Sequence, residues 1–284
     1  MTISAKVIAH SRPYWAADDA HDLYTMELTY PRFIHSEFMT HRLFSRNASS
    51  SRAIPVHRLI DEIYDNPALP VFWGSNKPGM QAGAELVGGD KDSAIVYWHA
   101  ALSSARDYTK YLLGCNLHKQ LANRIMEPWA HIHVVVTATE WDNFFALRVH
   151  PDAQPEIREL AQQIRRAQYN SDPVLLRPGE WHTPYAHPAT AGDAALRTSV
   201  AGCARVSYNT HDGSERAIHK DCQLYTRLLE SQHLSPFEHQ GTPMLFYQSG
   251  AEEWESGVTH MDRQRMLWSG NFKGWIQYRQ TVVQ

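Results

Sequence analysis

Between Thr40 and Arg52 the chain reads THRLFSRNASSSR, a run of arginines, one histidine and several hydroxyls. Such donors, leaving an amphipathic helix for a flexible segment, are what a protein assembles around a phosphate. Arginine serves better than lysine there, because its planar fork bonds two phosphate oxygens at once. The competing reading is a solvated Ser-rich loop. A second constellation is His131-Ile132-His133, two imidazoles at i, i+2 on one face of a β-branched run. That spacing suits a metal ion and so a metal-dependent nucleotide phosphohydrolase. No HExxH and no carboxylate cluster accompanies the pair, and histidines satisfied within a strand are the competing reading. Cys115, Cys203 and Cys222 are scattered and odd in number, which suits reduced thiols of a cytoplasmic protein, and none stands beside an activating histidine.

These residues need elements to hold them. ISAKVIAH and LYTMELTY alternate as strands, and Pro31 ends the second. From there Phe33, Ile34, Phe38, Met39 and Leu43 recur at helical spacing, so a helix is expected to run into the polar segment from Ser45. HRLIDEIYDN reads as a short helix, residues 67–83 as a Pro/Gly-punctuated loop, and 92–114 as a long amphipathic helix closed by Gly114. HKQLANRIMEP is helical, HIHVVVTATE is the best central strand, and WDNFFALRVH and PEIRELAQQIRRAQYN return to helical periodicity. Pro, Gly and His crowd residues 171–200, the expected loop or linker. A further helix over ERAIHKDCQLYTRLLESQHL, a turn at SPFEHQGTP and a strand fragment MLFYQ follow.

The 284 residues suffice for a substantial core. Lys and Arg total 27 against 30 Asp and Glu, a formal charge of −3, which disfavours a sequence-independent grip on nucleic acid. No apolar run reaches the ~18 residues of a membrane span, and the first residues lack the apolar region of a secretion signal. Seventeen histidines, nine tryptophans and thirteen tyrosines supply groups that titrate near neutrality or stack on flat rings.

The pattern HR-x2-S-x-N-x2-S-x-R over residues 41–52 resembles the signature of the flavin-dependent thymidylate synthases, RHR-x2-S-x-N-E-x-S-x-R. Further elements are similar in the same order: Arg124 to Pro128 to RxxLP, Asn143 to Arg148 to NFLxLR, and Ala153 to Ile157 to AQxEI. Ala204-Arg205-Val206-Ser207-Tyr208 and Ser235-Pro236-Phe237-Glu238-His239 look like the family's ARVSY and SPFEH elements. In the family these precede the signature, and here they follow it. The resemblance therefore implies an α+β fold of that type, circularly permuted, assembling as a homotetramer. Its units would be a core over 1–170 with the nucleotide and flavin motif, the loop or linker 171–200, and a permuted helix-turn-strand unit over 201–284 completing the same domain.

The same resemblance implies the activity. Reduced FAD, methylenetetrahydrofolate and NADPH would methylate C5 of a uridine monophosphate, with no cysteine nucleophile. Arg148 and Ser50 would be catalytic, Arg148 at the uracil ring stabilising charge on a carbonyl. Glu37, Ser49, Ser50, Ser51, Arg52 and Arg124 would hold the nucleotide. His41, Arg42, Asn47, Asn143, Glu238 and His239 would line the flavin site, and no metal is expected. Departures from the family pattern are Thr40 for the first Arg of RHR, Ala48 for the motif Glu, Thr137 and Thr139 for Asn and Arg near flavin, and Asp152 for a His. Charge for the FAD diphosphate would then have to come from Arg46, Arg279 or Lys273. Loss of the acid at Ala48 opens the hypothesis that UMP is accepted as well as, or instead of, dUMP. The same departures keep a non-catalytic flavin- or nucleotide-binding homologue in view.

Overall fold

The computed structural model describes residues 3–14, 21–208, 216–245 and 253–282, with the side chains of Ser207 and Tyr208 outside that description. The expected strand residues Phe246–Gln248 likewise lie outside the described residues.

A five-stranded mixed sheet organises the first half. It contains β1 (Ser4–Pro13), β2 (Leu23–Pro31), β3 (Ser45–Ala48), β4 (His131–Ala138) and β5 (Val174–Leu176), in the order β3-β4-β2-β1-β5. Only β1 and β5 pair in parallel. Between strands run α1 (His35–Met39), α2 (Val56–Asp65), α3 (Gly88–Gly114), α4 (Lys119–Ala122), α5 (Asp142–Arg148) and α6 (Pro155–Tyr169). Then come α7 (Gly192–Tyr208), α8 (Ile218–Glu230), the short strands β6 (Gly241–Pro243), β7 (His260–Met261), β8 (Leu267–Ser269), β9 (Phe272–Lys273) and β10 (Trp275–Gln277), and α9 (Arg279–Val282).

Period-two alternation explains the layering. Met26, Leu28 and Tyr30 of β2 and Ile132, Val134 and Val136 of β4 point to one face, where they meet Ile157, Leu160 and Ile164 of α6 and Phe144 of α5 in the main core. Each such side chain contributes about 1.5–3 kcal/mol on burial. The opposite face carries Thr25, Val135 and Thr137, all buried, because α7 and the 3-10 turn Ser235–Glu238 cover that side of β3 and β4. From Val134 to Ala138 both faces of β4 are thus dry, which is why its run of valines does not alternate.

Two expectations are corrected. The helix from Phe33 stops at Met39, and Ser45–Ala48 is not a flexible loop but strand β3, paired with β4 from Ser45↔Thr137 to Ala48↔Val134. The stretch expected as loop or linker contains β5 and the first residues of α7, which starts at Gly192. No helix among the described residues is long and apolar enough to cross a membrane.

Candidate functional site

Arg148 ends α5 and meets the turn after α1. Its Nε donates to His41 Nε2 at 2.9 Å and its Nη2 to Thr40 Oγ1 at 3.2 Å. His41 is buried against Phe44 and Phe144, and that burial, with Arg148 and Arg46 nearby, lowers its pKa to about 4. A neutral imidazole therefore offers Arg148 a lone pair. Arg46 Nη1 closes the turn by donating to the carbonyls of Met39 and His41 at 3.1 and 3.0 Å. The Arg148 guanidinium so fixed lines an open cleft of about 730 Å³ together with Glu37, Lys77, Asp152, Gln154 and Arg158. That volume suits a small ligand, and three cations on its wall suit an anionic one.

The remaining motif residues lie beyond β3, a strand of about 13 Å at ~3.3 Å per residue. Ser49 extends the ladder, its N–H donating to His133 O and its Oγ accepting from His133 N. Ser51 Oγ donates to Glu127 Oε1 at 2.5 Å, and Glu127 also pairs with Arg124 and Arg32. Asn123 Nδ2 ties the loop by donating to Ser51 O and Ile54 O. Arg52 and Arg124 are exposed, and Arg52, like Arg42, makes no ion pair among the described residues. Asn123 Oδ1 and His131 Nε2 are buried here without a partner.

The C-terminal elements close a third side. His239 is wholly buried, its Nδ1 at 2.8 Å from Thr137 Oγ1 and its Nε2 at 2.9 Å from the Asn47 amide. Both nitrogens are occupied, so His239 reaches a ligand only through those partners. Glu238 pairs with Arg279, and Gln277 Nε2 donates to Ser45 Oγ, Glu238 O and Asn271 Oδ1. Arg46 and Arg279 are therefore committed inside the protein, as is Lys273, which stands 3.7 Å from Asp262. Asn143 is exposed on α5.

One chain thus brings Glu37 and Arg148 to the cleft with His41 behind Arg148, ties Ser51 and Arg124 to Glu127, and joins Asn47 to His239. It does not bring Ser50, Arg52 or Arg124 to the wall of the cleft that Arg148 lines. Sequence reasoning missed Glu127, Thr25, His182 and Gln277; only Glu127, inside the Arg124–Pro128 element, carried a signal. His133 is satisfied by Thr29 Oγ1 at 3.0 Å. No group of three or more His, Cys, Asp or Glu among the described residues is arranged to hold a metal ion.

Residues 20–174 match the family model described as thymidylate synthase complementing protein, more than half of the chain. The chain belongs to the flavin-dependent thymidylate synthase family. Two solved structures similar to it are those of a UMP/dUMP methylase from Streptomyces cacaoi, bound with 5-Br dUMP and with 5-Br UMP. The first is 20% identical with a TM-score of 0.44 over 52% of this chain and 67% of that one. The second is 18% identical with a TM-score of 0.47 over 59% and 88%. No curated protein matches the sequence significantly. The Thr40–Arg52 segment and the stretches Arg124 to Pro128, Asn143 to Arg148 and Ala153 to Ile157 fall inside the matched range, whereas residues 204–208 and 235–239 fall outside it.

Proposed function

We propose that the protein methylates C5 of a uridine monophosphate, dUMP or UMP, in a flavin-dependent reaction. The observation that carries this reading is Arg148, held by His41 and Thr40 of the signature segment so that its charge faces the 730 Å³ cleft. With Nε bound to His41 and Nη2 to Thr40, the Nη1 N–H groups are left to meet a uracil carbonyl. Negative charge develops there when C5 becomes nucleophilic, and an oriented cation stabilises it. Ser50, Arg52 and Arg124 fix the phosphate, with Glu127 holding Arg124 and Ser51 in place. Glu37, on the same cleft wall, contacts the nucleotide.

The donor set also fits FAD: Arg42 is a cation without an internal ion pair among the described residues, and Lys77 and Arg158 add charge to the cleft. FAD held there would supply, once reduced by NADPH, the hydride that completes the methyl group, with the carbon from methylenetetrahydrofolate and the C5 hydrogen leaving as a proton. Arg42, Asn143, Asn47, Glu238 and His239 are the residues this reading assigns to the flavin side, the last three as its inner support.

The permuted order is supported by packing. The elements similar to ARVSY and SPFEH follow the signature in sequence, yet α7 lies against β3 and β4, and His239 bonds the signature's own Asn47. A homotetramer is supported by two facts. Arg148 and Arg52 lie at different places in one chain, so a second copy is needed to unite them. The long helix α3 also leaves Tyr97, Tyr108 and Tyr111 at 72, 64 and 69% exposure along one stripe. At up to roughly 200 Å² per fully exposed aromatic side chain, the three tyrosines offer about 400 Å², half of the ~800 Å² per partner of a stable interface.

The test is to incubate the FAD-loaded protein with NADPH, methylenetetrahydrofolate and either dUMP or UMP, and to separate the nucleotides. A 5-methyl product from at least one substrate supports the reading, and the ratio between them sets the preference. FAD-loaded protein that methylates neither contradicts it.

A further inference from the structure

Six buried groups from six parts of the chain touch in series behind the signature strand. Asn47 of β3 contacts His239 Nε2 at 2.9 Å, and His239 Nδ1 contacts Thr137 Oγ1 of β4 at 2.8 Å. Thr137 Oγ1 contacts Thr25 Oγ1 of β2 at 2.7 Å, Thr25 Oγ1 contacts His182 Nε2 at 2.8 Å, and His182 Nδ1 contacts Ser11 Oγ of β1 at 2.8 Å. Every member is buried, and Thr25, Thr137 and His239 have no exposed surface.

Counting hydrogens fixes the direction. One end of the Asn47 amide faces the carbonyl oxygens of Ser235 at 3.1 Å and Arg46 at 3.3 Å, which only N–H can meet, while the other end accepts from Ser235 Oγ. Of the two amide hydrogens, one goes to Ser235 O, the nearer carbonyl, and the other to His239 Nε2 at 2.9 Å. Burial lowers the pKa of both histidines to about 3, so each ring is neutral with a single N–H. With Nε2 accepting, the His239 hydrogen is on Nδ1 and goes to Thr137. Thr137 then gives its one hydrogen to Thr25, Thr25 gives its own to His182 Nε2, and the His182 hydrogen is on Nδ1, directed at Ser11.

We infer that Asn47, His239, Thr137, Thr25 and His182 form a one-way hydrogen-bond chain that positions the signature strand from beneath, with Thr137 and Thr25 as positioning residues for Asn47. Threonine at 137, a departure from the family pattern, is what lets the chain pass from His239 to β2. The consequence for ligand binding rests on the proposed function, because it takes Ser49–Arg52 as the segment that holds the nucleotide; the hydrogen placement does not.

The experiment is 15N NMR of the histidine rings in the full chain, with Thr137→Val and Thr137→Ser beside the unaltered protein. His182 and His239 are expected in the Nδ1–H form, and finding either as Nε2–H overturns the chain. Thr137→Val, which keeps shape but removes the hydroxyl, is expected to release His182, two residues along the chain, into a mixture of both forms, with Thr137→Ser restoring the single form. A His182 signal unmoved by Thr137→Val overturns the chain as well. Affinity for dUMP, measured by calorimetry, is expected to fall about fivefold in Thr137→Val, as for one net hydrogen bond, and to recover in Thr137→Ser. A packing role predicts the reverse, with the smaller serine worse than valine, and that pattern overturns the positioning role. If the ring signals behave as expected and the unaltered protein binds neither dUMP nor UMP, the functional reading fails while the chain stands.

Discussion

Arg148 has two fixed acceptors, His41 Nε2 and Thr40 Oγ1, and both depend on the turn that Arg46 closes. Removing the guanidinium in Arg148→Ala is expected to lower kcat/KM for the nucleotide by about 10²–10³, the scale of losing one donor aimed at developing charge. Arg148→Lys is expected not to restore it, since a lysine cannot span both acceptors as a planar fork does. Steady-state kinetics on the pair checks this, and a fully active lysine variant contradicts it. At this scale the sequence was partly informative: His41 and Arg148, more than a hundred positions apart, were assigned to one site by their likeness to one family's elements, whereas Thr40 was read only as a departure from the pattern. Glu127 was read merely as part of a motif, because nothing in its own neighbourhood announces that Ser51 and Arg32 converge on it.

At the scale of elements, the sheet core was legible in β2 and β4, whose runs of Leu, Met, Val and Ile have no other stable home. β3 was not. Its residues SRNA are polar, and the helical spacing of Phe33 to Leu43 leads directly into it; the ladder with β4, a long-range pairing, decides the outcome. The tail after Gly270 was equally opaque, yet Gln277 bonds Ser45 at the start of β3. Gly270 has φ +59°, and a Cβ there would meet Gln277 Oε1. Gly270→Ala is accordingly expected to cost about 2 kcal/mol from backbone handedness and a displaced Gln277, read as a lower midpoint in thermal unfolding. An unchanged midpoint contradicts this account of the tail.

For the whole molecule, the buried histidines make stability depend on pH. His182 and His239 have their pKa lowered from an ordinary 6.5 to about 3 by burial. The unfolded chain protonates both as pH falls below about 6.5, whereas the folded chain does not until near 3. Their contribution is therefore complete above about pH 6.5 and is lost on acidification, at about 1.4 kcal/mol per pH unit for each. Urea unfolding at pH 7 and pH 5 measures it, and equal stability at the two values contradicts it. Assembly is the other property at this scale. Tyr108→Glu is expected to place charge in the α3 stripe and reduce the mass seen by sedimentation from a multiple of 32.5 kDa toward one chain; an unaltered mass removes α3 from the interface. The most direct measurement of the central claim follows tritium from C5 of labelled dUMP and UMP with FAD, NADPH and methylenetetrahydrofolate present. Release to water by the unaltered protein, lost in Arg148→Ala, is the predicted result; retention of all the label by FAD-loaded protein, or equal release by Arg148→Ala, contradicts it.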